Sequence, residues 1–269
     1  MEENATFYYK NKLIKLTDAE YFARQELNYS SFKNFLISGK YFEAKLAEEE
    51  KEASDSLLFG SIFHASILDK DELDKYMPFD PVDKRTKAGK EEWEKLQNEA
   101  TENNKTLVPR EIYGSALNIQ LTPIAQSILD QSDNICEHSV IWDFGDIACK
   151  SKIDIFNPTT GVLTDVKTTR DLANFERAIN SNKYYLQLAF YDLALKSCGY
   201  EVSQWKILAV ENTAPYDSTV FTLAPEYMDF AKSLIEVQLK KFAFQRDFAG
   251  FKGLSEESEI VCALPNYVY

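Results

Sequence analysis

The segment that most limits what this chain can become is Cys149–Thr169, CKSKIDIFNPTTGVLTDVKTT. Two alternating runs flank NPTTG, a cluster of turn-forming residues, so the segment reads as two strands folded back on each other. In the second run, Val162 to Thr168, the side chains of Leu163, Asp165 and Lys167 share one face because strand side chains alternate with period two. If Phe156 stands opposite Leu163, the same antiparallel register sets Asp154 opposite Asp165. Two carboxylates then converge beside one ammonium. A divalent cation relieves the repulsion between such carboxylates, and Mg²⁺ prefers oxygen ligands of this kind. The metal lowers the pKa of a bound water, while Lys167 can orient or deprotonate that water and offset charge on a phosphate. A solvated hairpin with an incidental ion pair accounts for the same three residues without chemistry.

The surrounding sequence supplies the rest of an α/β architecture. Ile135–Phe144 and Asp146–Phe156 read as strands around a turn at Gly145, and VSQWKILAVEN and STVFTL as later strands. Asp171 to Ser197 reads as one long helical segment, and Pro225 toward Phe248 as another. Three strands, a helix and a further strand form a core whose final crossover gives mixed strand pairing. Before residue 132 the chain is mainly helical. Asp18 to Glu50 reads as helix with Asn28 or Ser30 available as a cap, Leu57–Leu68 as a buried helix in which Gly60 permits close packing, and Pro109–Asp130 as further helix. Met77 to Lys87 reads as an exposed loop, interrupted by Pro78 and Pro81, ahead of a charged helix. The expected organisation is one unit over 1–269, with a helical region 1–131 packed around an α/β core 132–269.

Other polar residues are candidates for the same chemistry. Gln187 and Tyr191 are four apart in YYLQLAFYDLALK and share a helix face. Gln187 can donate to a phosphate or support a metal-bound water, and Tyr191 can bind phosphate or pack against sugar. They also fit a core aromatic with a satisfied polar neighbour. His64, in GSIFH, is one of only two histidines. Its neutral imidazole can add a nitrogen ligand to a Mn²⁺ or Mg²⁺ site, or serve as a hydrogen-bonded structural group. The other histidine, His138, has a weaker claim, although its neighbour Glu137 can bring a further carboxylate toward the sheet. Lys84, Arg85 and Lys87 form a basic stretch suited to phosphate contact.

Composition excludes several classes. With 18 Phe and 15 Tyr, the chain carries more aromatic surface than a disordered segment can leave in water. A net charge of −13 argues against a protein that coats nucleic acid non-specifically, yet leaves room for a small basic channel. Cys136, Cys149, Cys198 and Cys262 form no CxxC pair, so free thiols are expected rather than a zinc ribbon, a disulfide scaffold or an iron-sulfur cluster. No run is long and apolar enough for a membrane span. MEENATFYY has none of the basic-then-apolar character of a secretion leader, which sets the cytoplasm as the expected compartment.

Taken in order, these motifs resemble the exodeoxyribonuclease VIII family and its phage relatives, a RecB-like branch of the PD-(D/E)xK nucleases. GSIFH looks like that family's histidine motif, IDIF and DVKTT resemble the next two motifs, and LQLAFY resembles the glutamine-tyrosine motif. LNYSSFKNFLISGKYFEAKL resembles the family's opening segment, DPVDKRTKAGKEEWEKL its basic region, and IVCALPNYVY its ending. The resemblance implies a PD-(D/E)xK restriction-endonuclease-like core sheet flanked by helices. It implies metal binding by His64, Asp154 and Asp165, a catalytic Lys167, and site roles for Gln187 and Tyr191. Glu137 is either a further acidic metal-site residue or a charge near a strand start.

The implied activity is Mg²⁺-dependent digestion of linear duplex DNA from an end, 5′ to 3′, with Mn²⁺ able to substitute. A ring-like oligomer, a single-strand annealing partner and a phage or prophage origin in a host cytoplasm follow from the resemblance alone. Two other readings stay open. One is a helicase-associated or CRISPR-associated nuclease, which the lack of clustered cysteines disfavours. The other is a catalytically silent DNA-binding or phage assembly protein that keeps the fold.

Overall fold

The computed structural model describes residues 10–48 and 53–255. The described residues begin with a short strand β1 (Leu13–Ile14) and three short helices, α1 (Asp18–Phe22), α2 (Tyr29–Phe35) and α3 (Gly39–Leu46). The helical region read over Asp18–Glu50 is thus divided at Asn28, one of the two caps the sequence offered, and again at Ser38. Asn28 and Ser38 adopt extended backbone and their side chains accept the Ser31 and Tyr41 N–H groups, so each starts a new helix. Glu49 and Glu50 at its end, Cys262 and the IVCALPNYVY ending lie outside the described residues.

Next come α4 (Asp55–Leu68), β2 (Tyr76–Phe79), α5 (Lys87–Glu102), β3 (Thr106–Pro109), α6 (Arg110–Leu117) and α7 (Pro123–Leu129). Residues 77–79 are therefore strand rather than loop. β2 pairs with β3 in a two-stranded parallel sheet, where Pro78 is tolerated because every strand of such a sheet is an edge. The helix expected over Pro109–Asp130 is divided, since Pro123 cannot continue a helix and instead occupies the first turn of one capped by Thr122.

The second half contains β4 (Ile135–Phe144), β5 (Ile147–Asn157), β6 (Val162–Thr169), α8 (Phe175–Ser181), α9 (Tyr184–Ser197), β7 (Gln204–Glu211), β8 (Ser218–Leu223) and α10 (Pro225–Phe244). The expected strands are all present. The helix read over Asp171–Ser197 is again two, broken where Lys183 takes a left-handed conformation, φ 58°.

The main sheet has the order β1-β4-β5-β6-β7-β8. β6 and β7 run parallel, joined through α8 and α9, and every other pair is antiparallel. One face carries α2, α9 and α10 over a core that includes Phe32, Trp142, Phe190, Ile207 and Leu239. The other carries α4, α6 and α7 over a smaller core with Ile62, Phe63, Ile128, Val166 and Leu208. With both faces covered, β7 is apolar on both sides, as a central strand requires, whereas β6 sets Leu163 and Val166 into the two cores and also carries the polar Thr164, Asp165 and Lys167. The result is an α/β fold with a mixed sheet between helices and a helical N-terminal region. Among the described residues no helix is long and apolar enough to cross a membrane.

Candidate metal centre

The site forms where three neighbouring strands lose their regularity together. Phe156 faces Leu163, the register supposed from the sequence, but the β5–β6 ladder ends at the Ile155–Thr164 pair. Beyond it the Asp154 carboxylate, not a backbone carbonyl, accepts the Val166 N–H at 2.7 Å. Across the other edge of β5, the partners Cys136–Ile155 and His138–Ile153 bracket Glu137 and Asp154 as opposing positions. Glu137 has φ 53°, a left-handed conformation that costs a non-glycine residue about 1–3 kcal/mol. The distortion also changes which face the strand presents. Ile153 and Phe156 belong to the larger core and Ile155 to the smaller, so the alternation shifts at Asp154.

His64 reaches this point from α4. Ser54 caps the helix by accepting the Leu57 N–H, and Gly60 lies one turn before His64. A Cβ at Gly60 would sit 3.1 Å from Thr168 Oγ1, so glycine lets the helix lie close against β6. His64 Nε2 is 3.0 Å from the Val166 carbonyl oxygen. A carbonyl can only accept, so Nε2 carries the hydrogen, and the neutral ring presents its lone pair at Nδ1. That nitrogen lies 3.9 Å from Glu137 Oε1 and 4.0 Å from Asp154 Oδ2. One donor atom from each of His64, Glu137 and Asp154 falls within 4.8 Å of the others.

Asp165 and Lys167 stand beside this triad. Asp165 is 1% exposed and forms an ion pair through Oδ2 with Lys167 Nζ at 2.6 Å, but neither of its carboxylate oxygens has a hydrogen bond of good geometry among the described residues. The Lys167 ammonium also lies 5.2 Å from the centre of the Tyr184 ring. Asp165 is therefore a neighbour of the triad, paired with its lysine, rather than a member of the tight group.

The electrostatics follow from crowding. Burial and the neighbouring Asp165 carboxylate push the Asp154 carboxyl up to about 7. Burial alone would lower the Lys167 ammonium, but Asp165 and Asp154 outweigh it and raise its pKa, so the group stays charged at neutral pH. Burial likewise opposes a charged His64, and Asp154 and Glu137 more than reverse this. Burial would raise Glu137, yet His64 and Lys152 hold it below the ordinary carboxylate range.

His64, Glu137, Lys152, Lys167 and Tyr184, among others, line an open cavity of about 400 Å³, while Asp154 and Asp165 do not line it. Gln187 and Tyr191 do share a helix face, but Gln187 Nε2 donates to the Tyr191 hydroxyl at 2.8 Å and neither lines this cavity. Tyr184, one turn earlier on the same helix and half-buried, lines the cavity instead. The sequence reading missed Tyr184 and Lys152, although Lys152 is two residues before Asp154 on the same strand. The basic stretch lies apart from the cavity: Lys84 stacks on Trp93, Arg85 binds Asp83 at 2.9 Å, and Lys87 is 3.9 Å from Glu91.

The donor set suits a hard or borderline divalent ion. A histidine lone pair aimed between two carboxylates, with a buried unpartnered carboxylate oxygen beside them, is unfavourable until a cation enters. Fold and site together define a PD-(D/E)xK-like α/β protein with a candidate metal triad. Residues 28–246 match the family model described as PDDEXK-like domain of unknown function (DUF3799), and the chain belongs to that family. No curated protein matches the sequence. The crystal structure of a "putative exonuclease" from Eubacterium rectale superposes with a TM-score of 0.61 at 15% identity, covering 94% of this chain and 97% of that one, so the fold is shared. SSO0001 (TM-score 0.31, 11% identity, 79% and 85% covered) and a phage related exonuclease from Haemophilus somnus 129PT (0.27, 11%, 83% and 97%) are far weaker matches.

Proposed function

We propose that the protein is a divalent-metal-dependent exodeoxyribonuclease of the exodeoxyribonuclease VIII type, degrading linear duplex DNA from its ends. The observation that carries this reading is the Nδ1 lone pair of His64 facing Glu137 and Asp154 beside the buried Asp165–Lys167 pair. The E. rectale fold neighbour, named for exonuclease activity, is consistent with it.

In this reading His64, Asp154 and Glu137 would hold Mg²⁺, or Mn²⁺ in its place, beside the buried Asp165 carboxylate. The ion supplies an acidified water and stabilises charge on the phosphate. Lys167, charged at neutral pH, donates hydrogen bonds to that water or to the phosphate oxygens rather than acting as a base. Tyr184 packs beside the ammonium and closes its apolar side. Gln187 keeps the Tyr191 hydroxyl satisfied behind the carboxylates and reaches substrate only if that bond opens. Lys84, Arg85 and Lys87 position the phosphate backbone. The whole chain acts as one nuclease unit, with 5′ to 3′ polarity, a ring-like assembly, a single-strand annealing partner and a host-cytoplasmic setting drawn from the family resemblance.

The test is incubation of linear duplex, closed circular duplex and single strand, each with Mg²⁺ or with EDTA. Nucleotide release from linear duplex in Mg²⁺ alone is expected. Cutting of closed circles would make the protein an endonuclease, and no metal-dependent hydrolysis would leave it a DNA-binding member of the fold.

A further inference from the structure

A chain of alternating charges runs outward from the metal centre. Glu137 Oε2 lies 2.6 Å from Lys152 Nζ, and the same ammonium is 2.6 Å from Asp18 Oδ1. Asp18 Oδ2 is in turn 2.6 Å from Lys75 Nζ, which is 2.9 Å from Glu72. Four separate elements contribute: β4 supplies Glu137, β5 Lys152, the first turn of α1 Asp18, and the 3-10 turn Lys70–Lys75 the remaining pair. Thr17 and Glu20 hold that first turn in place through a reciprocal capping box.

The two oxygens of Glu137 have different partners. Oε1 faces His64 and the triad, while Oε2 is held by Lys152. Only one oxygen is left for an ion. The ammonium, 2.6 Å from each carboxylate oxygen, stands where a divalent cation bridging them would sit, with the carboxylates closing by roughly half an ångström each to reach Mg²⁺–oxygen bonds of about 2.1 Å. Charge balance points the same way. Glu72, Asp18, Glu137, Asp154 and Asp165 face Lys75, Lys152 and Lys167, leaving an excess of two negative charges when all are ionised. One divalent ion cancels it.

We propose that Lys152 is a resident cation, whose ammonium fills the place between Asp18 and Glu137 that a second divalent ion would otherwise take, so that the centre binds one divalent ion per chain. Lys152 is thus a positioning residue, fixing Glu137 as a one-oxygen ligand and setting the ion count. Its side chain is held on both sides, which keeps it from being displaced when the triad is filled. The inference rests on the metal centre of the proposed function, but its readout is ion stoichiometry rather than DNA cleavage.

The experiment titrates Mn²⁺ alone into the folded full-length chain, counting bound ions by electron paramagnetic resonance, for the wild type, Lys152→Met, Lys152→Arg and Lys152→Met/Asp18→Asn. One ion is expected for the wild type and for Lys152→Arg, which keeps the cation. Two are expected for Lys152→Met, and one again when Asp18 is also neutralised. Two ions in the wild type, or one in Lys152→Met with unchanged affinity, would overturn the proposal. Absence of binding in the wild type with one ion in Lys152→Met would sink the metal centre of the proposed function while upholding the role of Lys152. Should Lys152→Met fail to fold, Lys152→Gln replaces it with the same two-ion expectation, and a single ion there would equally overturn the proposal.

Discussion

Replacing Lys167 by methionine should damage the metal-free protein before any question of catalysis arises. The substitution keeps most of the aliphatic length but removes the ammonium that lies 2.6 Å from a carboxylate 1% exposed to solvent. Removing one partner of a buried ion pair costs about 3–5 kcal/mol, because the other charge is left without compensation. Loss of the Tyr184 contact adds roughly 0.5–2 kcal/mol, so the stranded carboxylate dominates. Against a typical total of about 5–15 kcal/mol this is a large fraction. Two rescues separate this cause from general misfolding. Asp165→Asn in the same chain removes the stranded charge and should recover most of the loss, and Mg²⁺ should stabilise Lys167→Met more than the wild type. Urea unfolding in EDTA and in Mg²⁺ reads all of these. Hydrolysis at saturating Mg²⁺ and DNA should still fall on the order of 100-fold or more, since the transition-state donor is gone. A variant within about 0.5 kcal/mol of the wild type in EDTA, like an ordinary surface substitution, would refute the reasoning.

Other consequences follow from the same geometry. Because Asp154 is held protonated up to about pH 7 and His64 is also raised, an entering ion must displace protons at lower pH. Mn²⁺ affinity should therefore climb from pH 5.5 through about 7 and level off roughly one pH unit above that, and calorimetry showing a flat profile across that range would contradict the assignment. Gly60→Val should press on Thr168, move α4 off β6 and weaken Mn²⁺ binding several-fold, at a stability cost of about 1–3 kcal/mol; unchanged Mn²⁺ affinity would show that His64 is not placed by this close approach. Reversing the charges of Lys84, Arg85 and Lys87 together should lower duplex affinity and flatten its salt dependence while sparing hydrolysis at saturating DNA. A wild-type salt slope in that variant would remove the segment from the DNA contact.

Much of the fold was legible because its signals are local. Alternation identified β4, β5 and β6, and the Phe156–Leu163 register supposed between β5 and β6 is the one the strands adopt. The division of the helices was harder to read. Asn28 was recognisable as a cap, but Ser38 and Thr122 compete with helix continuation only through hydrogen bonds to particular N–H groups, and the left-handed Lys183 carries no compositional mark. Glu137 shows how a stronger inference was within reach. The two-residue turn at Gly145 pairs Phe144 with Ile147, and counting back along both strands sets Glu137 opposite Asp154. Its left-handed backbone could not be read that way, nor could the partnership of Lys152 with Asp18, which depends on where α1 packs. Gln187 and Tyr191 illustrate the opposite limit: helical spacing put them on one face but could not reveal that they satisfy each other.

The most direct test of the account is the position of a bound ion. Crystals grown with Mn²⁺ and measured at an anomalous wavelength should show a peak in bonding contact with His64 Nδ1, Asp154 and Glu137 Oε1, with the Val166 carbonyl still hydrogen-bonded to Nε2. A peak that avoids His64 and Asp154, or no peak at saturating Mn²⁺ in an intact lattice, would contradict the metal centre on which the proposed nuclease chemistry depends.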